Sequence, residues 1–211
     1  MEKRGKLILS AVGLSVVSEV LGLLKLSPII GSNFSFFSIN SILCPLAGII
    51  SSTGLGALFF LFKAAIKYAL LGFNLNLALT LQLPFIVSAI AWKDKRVMFF
   101  VALISILFFT AHPVGSQAFV YSTLWLIPIF VSLTSFNNIF LRSFGATFTA
   151  HAVGSLGWLY FGSIPAATWV YLTPIAFFER AVFALGLFLA YTLWNRVSDY
   201  KVLKRSVKAS S

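Results

Sequence analysis

Two histidines stand before the same Val-Gly-Ser tripeptide, His112 in HPVGSQAFVY and His151 in HAVGSLGWLY, 39 residues apart, and the chain has no others. An imidazole can accept and donate hydrogen bonds, ligate a metal or carry a proton, so its neighbours decide which of these it does. Only five Asp and Glu are available to partner it. Glu19 and Glu179 fall inside apolar stretches, as do Lys63, Lys67 and Arg180. His112, His151 and Glu179 could formally make a zinc shell, but no HExxH helix is present and the expected depths of the two histidines differ. No GxSxG serine, P-loop or GxGxxG turn occurs. No catalytic residue, metal site or cofactor is therefore assigned, and the chain is not read as an enzyme.

The elements that carry these residues belong to an apolar medium. Of 211 residues 59% are apolar and 10% charged, 23 are phenylalanine, and the mean hydropathy is +0.96. A soluble domain of this size needs more polar surface than that. The net charge of +11 could suggest a nucleic-acid partner, but the cations sit at the ends of apolar runs: Lys3, Arg4 and Lys6, then Lys93, Lys95 and Arg96, then Arg196 through Lys208. That is the positive-inside pattern of a multi-pass protein of the plasma (cell inner) membrane, with membrane lipid as its surroundings and no nucleic acid. The N-terminal stretch lacks a small-x-small cleavage site before Glu19 and reads as a retained first span. The single Cys44, beside Pro45, reads as packing.

Prolines, charges and Gly-Ser breaks divide the chain into eight apolar segments: Leu7–Leu24, Ser38–Ile50, Gly54–Leu71, Leu75–Trp92, Val97–Ala111, Gln117–Thr134, Ser143–Phe161 and Trp169–Trp194. The expected fold is all-α, a transmembrane bundle of six to eight helices in one domain. Residues 1–6 and the basic tail 196–211 are cytoplasmic, and residues 7–195 form the bundle. Eight crossings put Lys93 to Arg96 and Arg142 inside; six would put Lys93 to Arg96 outside, against the charge rule. Trp158, Tyr160, Trp169 and Tyr171 read as an outer interfacial belt, and Trp92, Tyr191 and Trp194 as an inner one. Pro45, Pro84, Pro128 and Pro174 each fall in the second segment of a pair, and LPFIVS (Leu83–Ser88) echoes IPIFVS (Ile127–Ser132). Repeated helix hairpins and the ordinary tolerance of proline in membrane helices both account for that echo.

Charge near a bilayer centre costs about 2.5–3.5 kcal/mol per residue, so each such group needs a partner or a cavity. At a rise of about 1.5 Å per residue, Glu19 lies roughly 18 Å and Lys67 roughly 20 Å from the inner face, a depth at which they can pair, with Lys63 one turn below. His151, roughly 12 Å above the inner face, and Glu179, roughly 15 Å below the outer one, are both near the midplane. A His151–Glu179 hydrogen bond is the economical expectation, with Arg180 turned toward an acceptor of its own, substrate being one candidate. His112 belongs at an outer helix end. Gly115 and Gly154 in the HxVGS repeat admit close helix approach, and the histidines admit ligand contact; both readings stand.

The stretch FSFFSINSILCPLAGIISSTGLGALFFLFKAAI, Phe34 to Ile66, resembles the substrate-binding (S) components of energy-coupling-factor transporters. The likeness rests on Pro45 to Gly48 closing a short helix after an extended lead-in, and on Gly54, Gly56 and Ala57 opening the next. It implies a six-helix subunit that captures a vitamin from outside and works with a transmembrane coupling subunit and ATPase subunits. Six helices against eight apolar segments requires that some segments be halves of broken helices. His112, Gln117, Tyr121, Trp125, Trp158 and Tyr160, expected in the outer half, with His151, Glu179 and Arg180 below them, are the candidate solute contacts, and Glu19, Lys63 and Lys67 the candidate intramembrane ion pair. The expected function is uptake of a vitamin or similar small-molecule solute; a self-sufficient transporter or channel, or a membrane scaffold or assembly protein, are the alternatives.

Overall fold

A computed structural model describes residues 12–13, 15–28, 36–51, 53–72, 82–135 and 138–210. The expected cytoplasmic residues 1–6 and the first turns of the segments beginning at Leu7 and Leu75 lie outside the described residues. The described chain is helical apart from one ribbon. Helix α1 (residues 15–21) is followed by strands β1 (Lys25–Pro28) and β2 (Phe36–Ser38), antiparallel with Pro28 opposite Phe36. Then come α2 (Asn40–Ile50), α3 (Thr53–Leu71), α4 (Leu83–Lys93), α5 (Lys95–Ala111), α6 (Pro113–Gln117), α7 (Phe119–Ser122), a 3-10 turn (Thr123–Trp125), α8 (Leu126–Leu133), α9 (Ile139–Phe161) and α10 (Ala166–Ser210). The all-helical class holds, with one short addition: residues 25–28 and 36–38 pair their backbones where a simple outer loop at Lys25 was expected.

Charged side chains fix the direction of the helices by closing their ends. Carbonyls in the last turn of a helix lack intrahelical donors, and a lysine ammonium can supply them. Lys93 Nζ donates to Gly48 O at 2.6 Å and Ser51 O at 3.1 Å, closing α2, while Lys95 Nζ donates to Thr134 O at 3.0 Å, closing α8. Asp94 between them accepts from Arg96 N at 3.0 Å and starts α5. The exposed Arg96 guanidinium, hydrogen-bonded to the Asp94 carboxylate, holds that carboxyl below its usual range. The C-termini of α2, α4 and α8 and the N-termini of α3 and α5 thus share one end of the bundle. At the same end Arg142 of α9 lies over Trp92, and Trp92 packs on Tyr191 of α10. At the opposite end Tyr160 of α9 donates to Phe108 O of α5 at 2.9 Å. Up-down alternation follows from these contacts alone.

Helix α9 is the central element, packed on α4, α5, α8 and α10. Small residues let the axes close: a Cβ on Gly48 would stand 2.6 Å from Ala89 Cβ, so α2 and α4 touch there through a hydrogen. The prolines divide by role. Pro84 lies in the first turn of α4 and Pro128 in the first turn of α8, positions where the missing N–H is unneeded, whereas Pro45 and Pro174 sit inside helices. The segment read as Gln117–Thr134 is broken into two short helices, Phe119–Ser122 and Leu126–Leu133, with the 3-10 turn between them. The last helix does not stop at Trp194 but continues to Ser210, 45 residues and about 67 Å at the α-helical rise. Its stretch Ala166–Val197 is, among the described residues, the one helix long and apolar enough to cross a membrane by length and composition; Asn40–Ile50, Leu83–Lys93 and Phe119–Leu133 are shorter apolar helices.

The interior is mainly apolar, but it also takes in polar groups, and much apolar surface is left outside. Lys63, Arg180, His151, Thr149 and Ser15 are inside, while Phe100, Leu107, Phe130, Phe178, Val182 and Leu193 face outward, each more than half exposed. Apolar exposure this extensive marks a surface that meets a membrane or a partner. Gly48→Ala should lower thermal stability by about 1–3 kcal/mol through overpacking, and adding Ala89→Gly should restore most of it. Unfolding followed in detergent checks this; an unchanged midpoint for Gly48→Ala would remove the close α2–α4 contact.

Candidate functional site

Among the interior polar groups, two clusters and one adjacent pair hold the buried titratable side chains His151, Lys63 and Arg180. The first is built on α9, where His151 and Ser155, four apart, share a face. Opposite them the broken segment presents Tyr121 from α7 and Trp125 from the 3-10 turn. Tyr121 Oη lies 2.7 Å from His151 Nε2 and 3.2 Å from Ser155 Oγ, and Trp125 Nε1 lies 3.3 Å from His151 Nδ1. The indole N–H can only donate, so Nδ1 must accept. In the neutral ring the proton then sits on Nε2 and is donated to Tyr121, whose own hydroxyl is left to donate to Ser155. One ordered relay, Trp125 to His151 to Tyr121 to Ser155, satisfies every member in turn.

Aromatic walls enclose the relay. Phe109, near the end of α5, and Trp169, in the first turns of α10, close on Tyr121 at 5.6 and 4.8 Å between ring centroids. Phe148 stands 6.2 Å from the imidazole. All are buried. Trp169 Nε1 is also buried, yet has no hydrogen-bond partner among the described residues.

The expected His151–Glu179 bond is not formed. Both imidazole nitrogens are taken by Trp125 and Tyr121, so no ring nitrogen remains for a carboxylate. Glu179 instead accepts from Arg180 at 2.8 Å, and Arg180 lies over the Phe183 ring at 4.6 Å. The guanidinium thus has a carboxylate beside it in sequence, where a separate acceptor was expected.

The second cluster joins α1, α2 and α3. Lys63 Nζ, on a side chain 1% exposed, donates to Glu19 Oε1 and, at 3.2 Å, to Ser18 Oγ. Ser18 donates onward to Asn40 Oδ1 at 2.8 Å, and the Cys44 thiol lies 3.4 Å from Ser18 Oγ. Depth matching pointed to Lys67 as the partner of Glu19, but Lys63 makes the pair. The level of a lysine Cα does not fix the level of its ammonium, because the stem spans about one helical turn. The Lys67 side chain lies outside the described residues.

The two HxVGS copies do unlike work. His112 ends α5 and caps α6, its Nδ1 accepting from Val114 N at 3.2 Å, and its ring meets Tyr160 at 5.0 Å. His151 sits in mid-helix inside the core. Gly115 does not serve approach between distant helices: a Cβ there would lie 1.8 Å from Phe109 O, so it tightens the α5–α6 corner. Gln117 is exposed, Trp158 half-buried and Tyr160 exposed, so these do not join the relay. Trp169 and Trp92, expected in interfacial belts, are buried, with Trp92 Nε1 donating to Ser143 Oγ at 3.4 Å. Tyr171 and Trp194 do face outward.

Sequence reasoning missed Ser155, Phe109 and Trp169 in the first cluster and Ser18 and Asn40 in the second. Ser155 had a signal, standing one turn beyond His151 inside the motif; the others had none beyond their type. Among the described residues no group of three His, Cys, Asp or Glu could hold a metal. No protein-family model, curated protein or solved structure matches this chain.

Two outcomes test the geometry. Tyr121→Phe leaves the His151 N–H without an acceptor and should cost about 1–3 kcal/mol, with Ser155→Ala costing less and nothing more in the Tyr121→Phe background. Glu19→Gln strands a buried ammonium and should cost about 3–5 kcal/mol, whereas Glu19→Gln with Lys63→Met should recover much of that loss. Thermal unfolding of the single and double variants reads both; additive losses would dissolve the couplings.

Proposed function

We propose that the chain is a multi-pass membrane subunit that binds a small solute for uptake, a vitamin-like micronutrient being the class its aromatic interior suits. The observation that carries this reading is the buried cluster of Tyr121, Trp125, His151, Ser155, Phe109 and Trp169. Five separate elements converge there on aromatic faces, with a few placed polar atoms, the composition of a small-molecule site. The cluster lies toward the end of the bundle opposite Lys93, Asp94, Lys95 and Arg96. By the positive-inside rule that is the outer half, where a solute arrives. The extensive exposed apolar surface and the alternating helix directions support several crossings. The 11-residue helices α2 and α4, about 16 Å each, are too short to span about 30 Å alone and must be completed by adjoining segments.

Chemistry on the solute is not part of the reading. No carboxylate touches His151, so the imidazole is oriented without being activated, unlike the base of a nucleophilic triad. A solute that replaces one link of the relay, offering an acceptor to His151 Nε2–H or a donor to Ser155, gains hydrogen bonds that are strong in a dry interior. Transport then requires that the loaded subunit move or open against a coupling subunit powered by ATPase subunits, the partners that the Phe34–Ile66 likeness implies.

The test is native mass spectrometry of gently extracted protein, followed by binding and liposome uptake of whatever co-purifies. A bound small molecule is expected, with affinity reduced about tenfold or more in Tyr121→Phe, as loss of one buried hydrogen bond implies. Reconstituted alone, the protein should bind without accumulating. Accumulation by the chain alone would favour a self-sufficient carrier, and neither binding nor uptake would favour a scaffold.

A further inference from the structure

Phe109 is placed as a ligand would be. Its ring, fully buried, is stacked on Tyr121 at 5.6 Å and met edge-on by Trp125 at 5.1 Å and Trp169 at 5.5 Å, with interplanar angles of 24°, 90° and 85°. Two indoles and a phenol thus box one flat six-membered ring. A phenyl ring meets the shape of the box but not its polarity. The Trp169 indole N–H, in a side chain 2% exposed, finds no acceptor there. A buried donor without a partner is a standing cost that a ligand acceptor could remove.

The backbone of Phe109 is held, so the ring can leave only by side-chain rotation. Phe109 O accepts from His112 N at 3.2 Å, and Gly115 is pressed on the same carbonyl, a contact no other residue could make. The ring is two residues from the end of α5, beside the break at His112 and Pro113.

We infer that Phe109 is a resident plug in a site for a flat heteroaromatic ring, whose ring acceptor takes the Trp169 N–H when Phe109 swings out. This rests on the solute-binding reading and specifies its occupant and its gate.

Two isosteric probes test it: benzene, and pyridine, which adds one acceptor. Binding is read by tryptophan emission and thermal shift in detergent. Phe109→Ala should bind pyridine about tenfold more tightly than wild type, and about tenfold more tightly than benzene. Adding Trp169→Phe should erase the preference for pyridine over benzene. Equal affinity of wild type and Phe109→Ala for pyridine, or no preference over benzene, overturns the plug. Should Phe109→Ala not fold, Phe109→Leu retains bulk without aromaticity and carries the same comparison. A wild-type protein that holds a co-purifying solute while Phe109→Ala shows neither gain sinks the plug and leaves the solute-binding reading standing; absence of both sinks both.

Discussion

On the proposed membrane reading a polar group inside this bundle has no water to turn to, and that constraint organises everything else. The outward faces of α5, α8 and α10 are apolar, with Phe130 and Phe178 each 69% exposed, so a donor or acceptor must find its partner inward. Trp125, His151, Tyr121 and Ser155 solve this as a chain in which each group serves the next. Lys63, Glu19, Ser18 and Asn40 solve it around an ion pair. Lys93 and Lys95 solve it at the helix ends, where they close carbonyls of α2 and α8 that would otherwise be left open. The cations that mark one side of the protein in sequence are therefore also the ones that terminate its helices.

The order and direction of the helices were legible because they depend on features with a one-dimensional signature. An apolar run needs length, a helix end needs a cap or proline, and a membrane side needs cations. Seven of the eight proposed segments contain a described helix in the proposed position, and the eighth, Gln117–Thr134, contains several short ones. What could not be read was rotation about each helix axis. Glu179 was matched to His151 by depth, yet depth says nothing about which face looks across, and Tyr121 and Trp125 met the imidazole from a segment whose break could not be located. The ribbon Lys25–Ser38 was illegible for a related reason: its pairing is set by backbone register, and its sequence carries no clear alternation. Trp92 and Trp169 were assigned to belts from their type, though tryptophan is equally at home inside when its N–H or its ring is used.

The repeated HxVGS motif shows how little a short string fixes on its own. In the first copy proline follows the histidine, the helix must end there, and the imidazole is spent on capping Val114 N. In the second alanine follows, the helix runs through, and the same imidazole is carried into the core between Tyr121 and Trp125. One residue, Pro113 against Ala152, separates a corner from a core position. Tyr121 itself ends the first copy, so the two halves of the repeat touch through the 2.7 Å contact between Tyr121 and His151.

The two buried clusters differ in what they can tolerate, and this difference separates anchoring from binding. An ion pair with a lysine 1% exposed is held by mutual need: displacing Glu19 leaves a charge with no equivalent substitute nearby, so α1 and α3 are fastened together. The relay around His151 is neutral. Any of its links can be exchanged for a solute atom of the right polarity without stranding a charge, and its surroundings are rings that accept another ring at little cost in shape. On the proposed solute-binding reading, a site that fills and empties repeatedly is better made from neutral hydrogen bonds and aromatic faces than from a buried salt bridge, which favours Tyr121, Trp125 and His151 over Glu19 and Lys63 as the solute contacts.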